Sequence, residues 1–349
     1  MSYQSKNTST YGGRKAKARP QLPSQYRSKI KPMLAQPGKK ADIKDPRKRE
    51  QFKWDGTRII VLKEYDDVRI MGARNWVNDY APLYPEIVAD VKQLPVDCGI
   101  WDGELVFTNK KTGQAEFVNA VSKRVKMENG KDAGWGQKFS VKAVLFDVLF
   151  IDSDDVQTLT FDDRDDIVKA TIPKGLKCVE TSRTFKTLQE KEKFQEETER
   201  KNQEGVMLKD AESPYRQDYR SPEWLKVKNW KSDECVVVGY TEGNGARAKT
   251  FGALILAQKG KDGKWHYVGK TAGLKDSETV KVLAKLKKLK TSTPAISGVP
   301  SDTKVQAWTK PQMVVEVKYL ERTAANNVLR MPDFLRERTD KKPSDVKMP

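Results

Sequence analysis

The longest apolar run in the chain, AVLFDVLFI at 143–151, is broken in its middle by Asp147. No stretch approaches the roughly 20 consecutive apolar residues of a membrane-spanning helix, so the core must be assembled from short strands and amphipathic helices. KFSVKAVLFDVLFID reads as one buried strand, and TRIIVLKEYDDVRIMG as two strands around an Asp-Asp turn. LYPEIVADVKQL has helical spacing, and TLQEKEKFQEETERKNQ reads as a charged, solvent-facing helix. EGVMLKD, EWLKVKNW and CVVVGYTEG follow as short strands. At 349 residues the chain is long for one domain and comfortable for two.

Charge divides the chain further. Residues 1–41 hold ten Lys or Arg and no acid, residues 42–230 hold 33 basic and 35 acidic residues, and residues 231–349 hold 23 and 13. A near-neutral middle between two basic segments, within a net charge of +18, points to a polyanionic partner whose phosphates the cations neutralise. Residues 1–28 are polar, basic and punctuated by Gly and Pro, and are expected to form a disordered arm. A domain is expected over 29–231. A second, over 232–349, combines the hairpin FGALILAQKGKDGKWHYVGKTAG, with its Asp-Gly turn, the Lys-rich helix SETVKVLAKLKKLK and the strand MVVEVKYLE. Short strands plus one helix in that length suit a small closed barrel.

Several chemistries are excluded. His266 is the sole histidine, which argues against histidine triads and His-ligated metals, and no Gly-rich GxxxxGKS or GxxxxGKT phosphate loop is present. Cys98, Cys178 and Cys235 form no CxxC pair and read as reduced thiols. No apolar secretory signal opens the sequence, so a cytoplasmic protein without a membrane partner is expected. Carboxylates, lysines and arginines remain, the set suited to nucleotidyl transfer. In KWDGTR, Lys53 taken alone would be an ordinary strand-end lysine, one of 66 basic residues. Lys226 and Lys228 in WLKVK share one face of a strand, either as solvated charges or as a clamp on one phosphate.

KWDGTR at 53–58, ARNW at 73–76, WDGELVF at 101–107, LFDVLFID at 145–152, EGVMLKD at 204–210, EWLKVKNW at 223–230 and LRMPDFLRERTDK at 329–341 form an ordered series. Singly each is weak. In order, they resemble the ATP-dependent DNA ligases of the covalent nucleotidyltransferase superfamily, over roughly residues 30–345. The resemblance implies an α+β nucleotidyltransferase domain followed by an OB-fold barrel. It implies ATP and magnesium, with manganese as a substitute, and a monomer acting on nicked or broken duplex DNA. By the same resemblance Lys53 is the nucleophile that takes AMP, and a lysine amine, with an ordinary pKa of about 10.4, must be activated by neighbouring cations and metal to attack. Glu104 reaches the ribose hydroxyls and the metal, Glu204 supports the metal, and Phe146 stacks on adenine or is simply a core residue. Arg58 and Arg74 contact ribose and phosphates, Lys226 and Lys228 the transferred phosphate. Arg338, Asp340 and Lys341 close over ATP and orient the departing pyrophosphate.

Three positions depart from the family pattern. Gln51 stands where a glutamate usually receives the adenine amine, ARNW replaces Ser-Arg-Asn-Gly, and only the basic arm precedes the catalytic core. The FGALIL and TAGL strings look most like the compact ligases of bacteria, archaea and their viruses. An RNA ligase or a GTP-using capping guanylyltransferase is the enzymatic alternative, since both share the lysine and strand motifs. A basic nucleic-acid-binding protein without catalysis is the non-enzymatic one.

Overall fold

The computed structural model describes residues 19–73, 76, 79–111, 138–201, 203–323 and 326–349. These fall into two compact units, one containing Gly205–Val227 together with everything up to Gln195, the other containing Glu196–Glu204 and Lys228–Pro349. No helix among the described residues is long and apolar enough to cross a membrane.

The first unit holds two sheets. One runs β1 (Leu34–Pro37), β11 (Arg220–Lys228), β10 (Gly205–Asp210), β2 (Lys48–Phe52) and β9 (Thr184–Phe185) in spatial order. The other runs β4 (Asp67–Gly72), β3 (Thr57–Glu64), β5 (Cys98–Asn109), β6 (Phe139–Ile151) and β7 (Asp154–Asp155), with β8 (Val179–Thr181) also beside β6. Apolar residues are continuous in β3 because both of its faces are covered. Ile59 and Val61 join a core with α2 (Pro85–Lys92) and α3 (Phe161–Thr171), while Ile60 and Leu62 join a second with Ile100, Phe150 and Trp224. The β3–β4 turn falls one residue earlier than the Asp-Asp pair suggests. Glu64 pairs with Asp67, and Tyr65 adopts a φ of 55°. Its hydroxyl donates to the Pro20 carbonyl at 2.8 Å, which ties down an otherwise unfavourable backbone.

The described part of the expected arm over residues 1–28 is packed, not disordered. Residues 1–18 lie outside the described residues, but Leu22 and Tyr26 are buried in the second core, beside the short helix α1 (Ser24–Ser28). Leu22 N donates to Glu64 Oε1 at 3.1 Å, and Tyr26 Oη to Asp155. Two apolar side chains in a polar, proline-punctuated stretch are enough to anchor it.

Helix α4 (Leu188–Arg200) also departs from expectation, because Lys191, Gln195 and Thr198 along one stripe are buried. Lys191 Nζ donates to the carbonyls of Asp45 (2.8 Å) and Lys48 (3.2 Å). Nearby, Glu50 on β2 is fully buried and neither carboxylate oxygen has a hydrogen-bond partner.

The second unit is a curled sheet ordered β15 (Lys290–Thr291), β17 (Val305–Tyr319), β12 (Lys231–Thr241), β13 (Leu254–Lys259), β14 (Trp265–Thr271) and β16 (Ile296–Ser297), with β18 (Asp333–Glu337) on β17. The long strands β12 and β17 pair from end to end, with a break where Val237 faces Met313 and Gly239 already faces Trp308. Pro311 lies inside the extra residues of that bulge, where no ladder donor is required. At Gly239 a Cβ would sit 2.9 Å from the Ala307 carbonyl oxygen, so the strands bend where only glycine fits. Helix α5 (Asp276–Lys288) lays Val282, Leu283 and Leu286 onto one core of the sheet. The β13–β14 hairpin turns through Gly263 at φ 76°, as the Asp-Gly pair requires, and His266 Nε2 meets Asp262 at 2.9 Å.

Burial pushes the Glu50 carboxyl up to about 8, partly opposed by Lys191. A carboxyl raised above its unfolded value favours folding below the unfolded pKa, and that contribution is lost as pH rises through the folded pKa. The stability it confers therefore falls between about pH 4.5 and 8. Glu50→Gln should flatten that segment of a thermal-unfolding series and stabilise the protein above pH 8 by on the order of 2–4 kcal/mol. Parallel wild-type and variant curves from pH 4.5 to 9 would show that Glu50 ionises normally.

Candidate active site

Strand β2 ends at Phe52, and the next four residues form a tightly seated loop. Lys53 N donates to the Gly205 carbonyl at 3.0 Å, extending the pairing of Phe52 with Val206 by one bond. Trp54 packs edge-on to Phe52 with ring centroids 4.6 Å apart, and its indole N–H donates to Ser182 Oγ at 3.2 Å. At Gly56 a Cβ would lie 2.2 Å from the Leu105 carbonyl oxygen, so glycine is required where the loop crosses β5. Lys53 itself is half-buried at the start of this crossing.

Two residues on, Arg58 lies opposite Glu104 in the β3–β5 register. Its guanidinium is clamped by Asp102, Nε to Oδ1 at 2.9 Å and Nη2 to Oδ2 at 2.5 Å, and Tyr215 Oη donates to the same Oδ2 at 2.7 Å. Burial works against the Arg58 cation, but the Asp102 carboxylate outweighs it and holds its pKa above the ordinary value. The Phe146 ring is 5.7 Å from this guanidinium and 4.7 Å from Lys209 Nζ. Phe146 is half-buried, a position compatible with both of its expected roles.

Beneath Phe146 lies a charged interior that its motif alone does not announce. Asp147 accepts from Arg164 Nε at 2.7 Å and lies 3.5 Å from Lys209 Nζ, with all three side chains essentially buried. Lys209 Nζ also donates to the Phe146 carbonyl at 3.0 Å and stands 4.2 Å and 4.6 Å from the Trp224 and Phe161 rings. Burial brings its pKa down to about 8, with Asp147 pulling it back. Asp102, Asp147, Arg164, Lys209 and Tyr215 were absent from the residues the sequence nominates. The available signal was the pair of acids set inside apolar strands, since a buried carboxylate demands a cation.

The other nominated residues are distributed as follows. Gln51 is 2% exposed, and its Nε2 donates to Thr184 Oγ1 at 3.0 Å and weakly to Asp165 at 3.5 Å. Lys226 pairs with Pro37 on β1 and its carbonyl accepts from Gly38 N at 3.0 Å. Lys228 and Glu204 are brought together at 3.1 Å, a pairing unforeseen in the sequence. Arg74 lies outside the described residues. Arg338 is anchored rather than part of a loose tail: its backbone N donates to the Val314 carbonyl, and its side chain takes Asp340 bidentately at 2.9 and 2.8 Å. Lys341 N approaches the Arg338 carbonyl at 3.4 Å. Among the described residues no group of three or more His, Cys, Asp or Glu side chains is arranged to hold a metal.

Residues 32–228 match the ATP dependent DNA ligase domain family, and residues 247–341 match the ATP dependent DNA ligase C terminal region. The chain is 29% identical over 320 residues to the multifunctional non-homologous end joining protein LigD of Mycolicibacterium smegmatis, a match covering 90% of this chain and 39% of that protein. It is 27% identical over 333 residues to a DNA ligase of Thermococcus onnurineus, covering 91% and 57% respectively. The chain thus spans well under two thirds of the length of these curated relatives. Among solved structures it resembles Pmar-Lig_PreS3 (TM-score 0.60, 19% identity, 88% of this chain and 67% of that one). It also resembles a structure from a study of Lig E DNA ligases (TM-score 0.55, 16% identity, 88% and 99%). These likenesses bear on the fold and agree with an α+β nucleotidyltransferase domain followed by an OB-fold domain. With a ligase-domain match across more than half of its length, the chain belongs to the ATP-dependent DNA ligase family.

Proposed function

We propose that this chain seals 5′-phosphate/3′-hydroxyl breaks in duplex DNA through an AMP carried on Lys53. The observation that carries the reading is the seating of the KWDG loop. Lys53 is pinned through its backbone to Gly205, and Gly56 crosses β5 with no space for a side chain. Beside it, Arg58 is fixed by two bonds to Asp102. Such fixation suits in-line phosphoryl chemistry, where positioning and charge stabilisation do most of the work.

In the first step the unprotonated Lys53 amine attacks the α-phosphorus of ATP. An N–P bond forms, the bond to the bridging oxygen breaks, and pyrophosphate leaves with that electron pair. The 5′-phosphate oxygen at the break then displaces Lys53 from phosphorus, and the lysine nitrogen regains a proton. Finally the 3′-hydroxyl gives up its proton to solvent and its oxygen attacks the 5′-phosphorus, the phosphoanhydride bond breaks, and AMP leaves with that electron pair. Arg58 steadies the nucleotide, Glu104 receives the ribose hydroxyls, and Phe146 offers its ring to the base. Lys226 and Lys228 attract the transferred phosphate, Arg74 a nucleotide or DNA phosphate, and Arg338, Asp340 and Lys341 the pyrophosphate. Glu104 is a hard-oxygen donor of the kind that magnesium or manganese takes alongside phosphates and water; Glu204, already committed to Lys228, supports such an ion only by leaving that pair. When bound, the ion would neutralise charge on the phosphates.

Gln51 favours ATP over GTP. Its amide nitrogen is engaged by Thr184, which leaves the carbonyl oxygen as the end that can accept from the adenine amine. A guanine oxygen would need the donor end instead. This weakens the capping-enzyme alternative.

Incubation with ATP and magnesium should add the mass of one AMP to the intact protein, and Lys53→Ala should abolish the gain. An adduct persisting in the variant would move the nucleophile elsewhere. Competition labelling should charge the protein with ATP in preference to GTP, and equal charging would restore the guanylyltransferase alternative.

The basic N-terminal residues are assigned to sequence-independent capture of DNA phosphates. Deleting residues 1–18 removes Lys6, Arg14, Lys15 and Lys17 and spares the anchors Leu22 and Tyr26. It should weaken nick binding and lower the slope of log K against log salt by up to about 0.9 per lost phosphate contact, leaving self-adenylation intact. Deleting residues 1–28 should also destabilise the fold by on the order of 3–5 kcal/mol, because two buried side chains leave the core. Nick affinity at two salt concentrations and thermal melts of both truncations separate capture from anchoring. An unchanged slope would leave these residues no part in substrate capture.

A further inference from the structure

In the β12–β17 ladder Glu234 lies directly opposite Glu316. Like charges in that relation destabilise a sheet unless a cation sits with them. Here Arg338 does: Nη1 donates to Glu234 Oε1 at 2.6 Å and lies 3.7 Å from Glu316 Oε2. Arg336 Nε donates to the same Glu316 oxygen at 2.7 Å. Asp340 accepts from Nε and Nη2 of the same guanidinium, whose side chain is only 12% exposed. The arginine assigned to pyrophosphate is therefore enclosed by three carboxylates. An incoming polyphosphate is repelled by them and competes with them for the guanidinium.

We propose that Glu234 and Glu316 are positioning residues that form an anionic seat for Arg338. They compete with the pyrophosphate end of ATP, and with free pyrophosphate, for the same guanidinium. This deepens the ligase reading and rests on the assignment of Arg338 to pyrophosphate. The seat holds Arg338 extended and ordered when no triphosphate is present. It also loosens the hold on pyrophosphate once Lys53 has been adenylated, which favours release over reversal.

The test uses the full chain and reads two half-saturating concentrations. One is ATP in single-turnover self-adenylation, and the other is inorganic pyrophosphate in reversal of the adenylated protein. Glu234→Gln keeps the shape and a hydrogen-bonding group but removes the charge. Both concentrations should fall, by about two- to fivefold for loss of one partly exposed charge pair. Glu316→Gln should act in the same direction, which guards against a folding defect particular to one variant. Joining of a pre-adenylated nick, which involves no pyrophosphate, should stay at the wild-type rate in both. Higher or unchanged half-saturating pyrophosphate in two folded variants would overturn the seat, and so would an equal fall in the nick-joining rate. Arg338→Ala separates the two levels. If it leaves pyrophosphate-driven reversal untouched, the assignment of Arg338 fails. If it impairs reversal while the glutamate variants change nothing, only the seat fails.

Discussion

Two aspartates in the interior of apolar strands, Asp102 and Asp147, organise the first unit. Each is completely buried. A carboxylate taken out of water is tolerated only with excellent pairing, and removing one partner of such a pair generally costs about 3–5 kcal/mol. The fold answers with Arg58 and Tyr215 for Asp102, and with Arg164 and Lys209 for Asp147. These partners come from β3, β10, α3 and the segment before β11, so satisfying two charges fixes four parts of the chain around β5 and β6. Arg58 and Phe146 inherit their positions from that arrangement. The two residues proposed to meet the nucleotide are thus held by the charge balance of the core.

The strand and loop settings are legible in the sequence where a local pattern carries them. Lys53, Glu104, Lys226 and Arg338 lie in local strings whose strand or loop setting follows from alternation and turn residues. The two-sided burial of β3 follows from its unbroken TRIIVL. Partners distant in sequence were not readable. Nothing within a few residues of Asp147 indicates Arg164 or Lys209, and no local pattern sets Lys228 against Glu204 or Glu234 opposite Glu316. The Glu234–Glu316 opposition follows from strand register and the others from how separate elements pack, both of which a single sequence specifies only through the finished fold.

Two misjudged segments have a common cause. Polar residues dominate both the stretch through Tyr26 and helix α4, so composition predicts that both are solvated. Burial there is carried by very few side chains: Leu22 and Tyr26 in the first, and Lys191, Gln195 and Thr198 along a stripe of the second. Lys191 is buried where its ammonium donates to the carbonyls of Asp45 and Lys48. Composition averages over such residues. A lysine that serves as a structural donor looks like any other lysine until its acceptors are in place.

The enclosed amine of Lys209 bears on how the fold tolerates alkali. With its pKa lowered to about 8, the folded chain releases this proton more readily than the unfolded chain does. Its contribution to stability therefore grows between about pH 8 and 10.4. Glu50 runs the opposite way and has lost its favourable contribution by about pH 8. The contributions of these two groups, taken together, are smallest near pH 8. Mild alkalinity takes the proton from Lys209 and leaves Arg164 as the cation paired with Asp147.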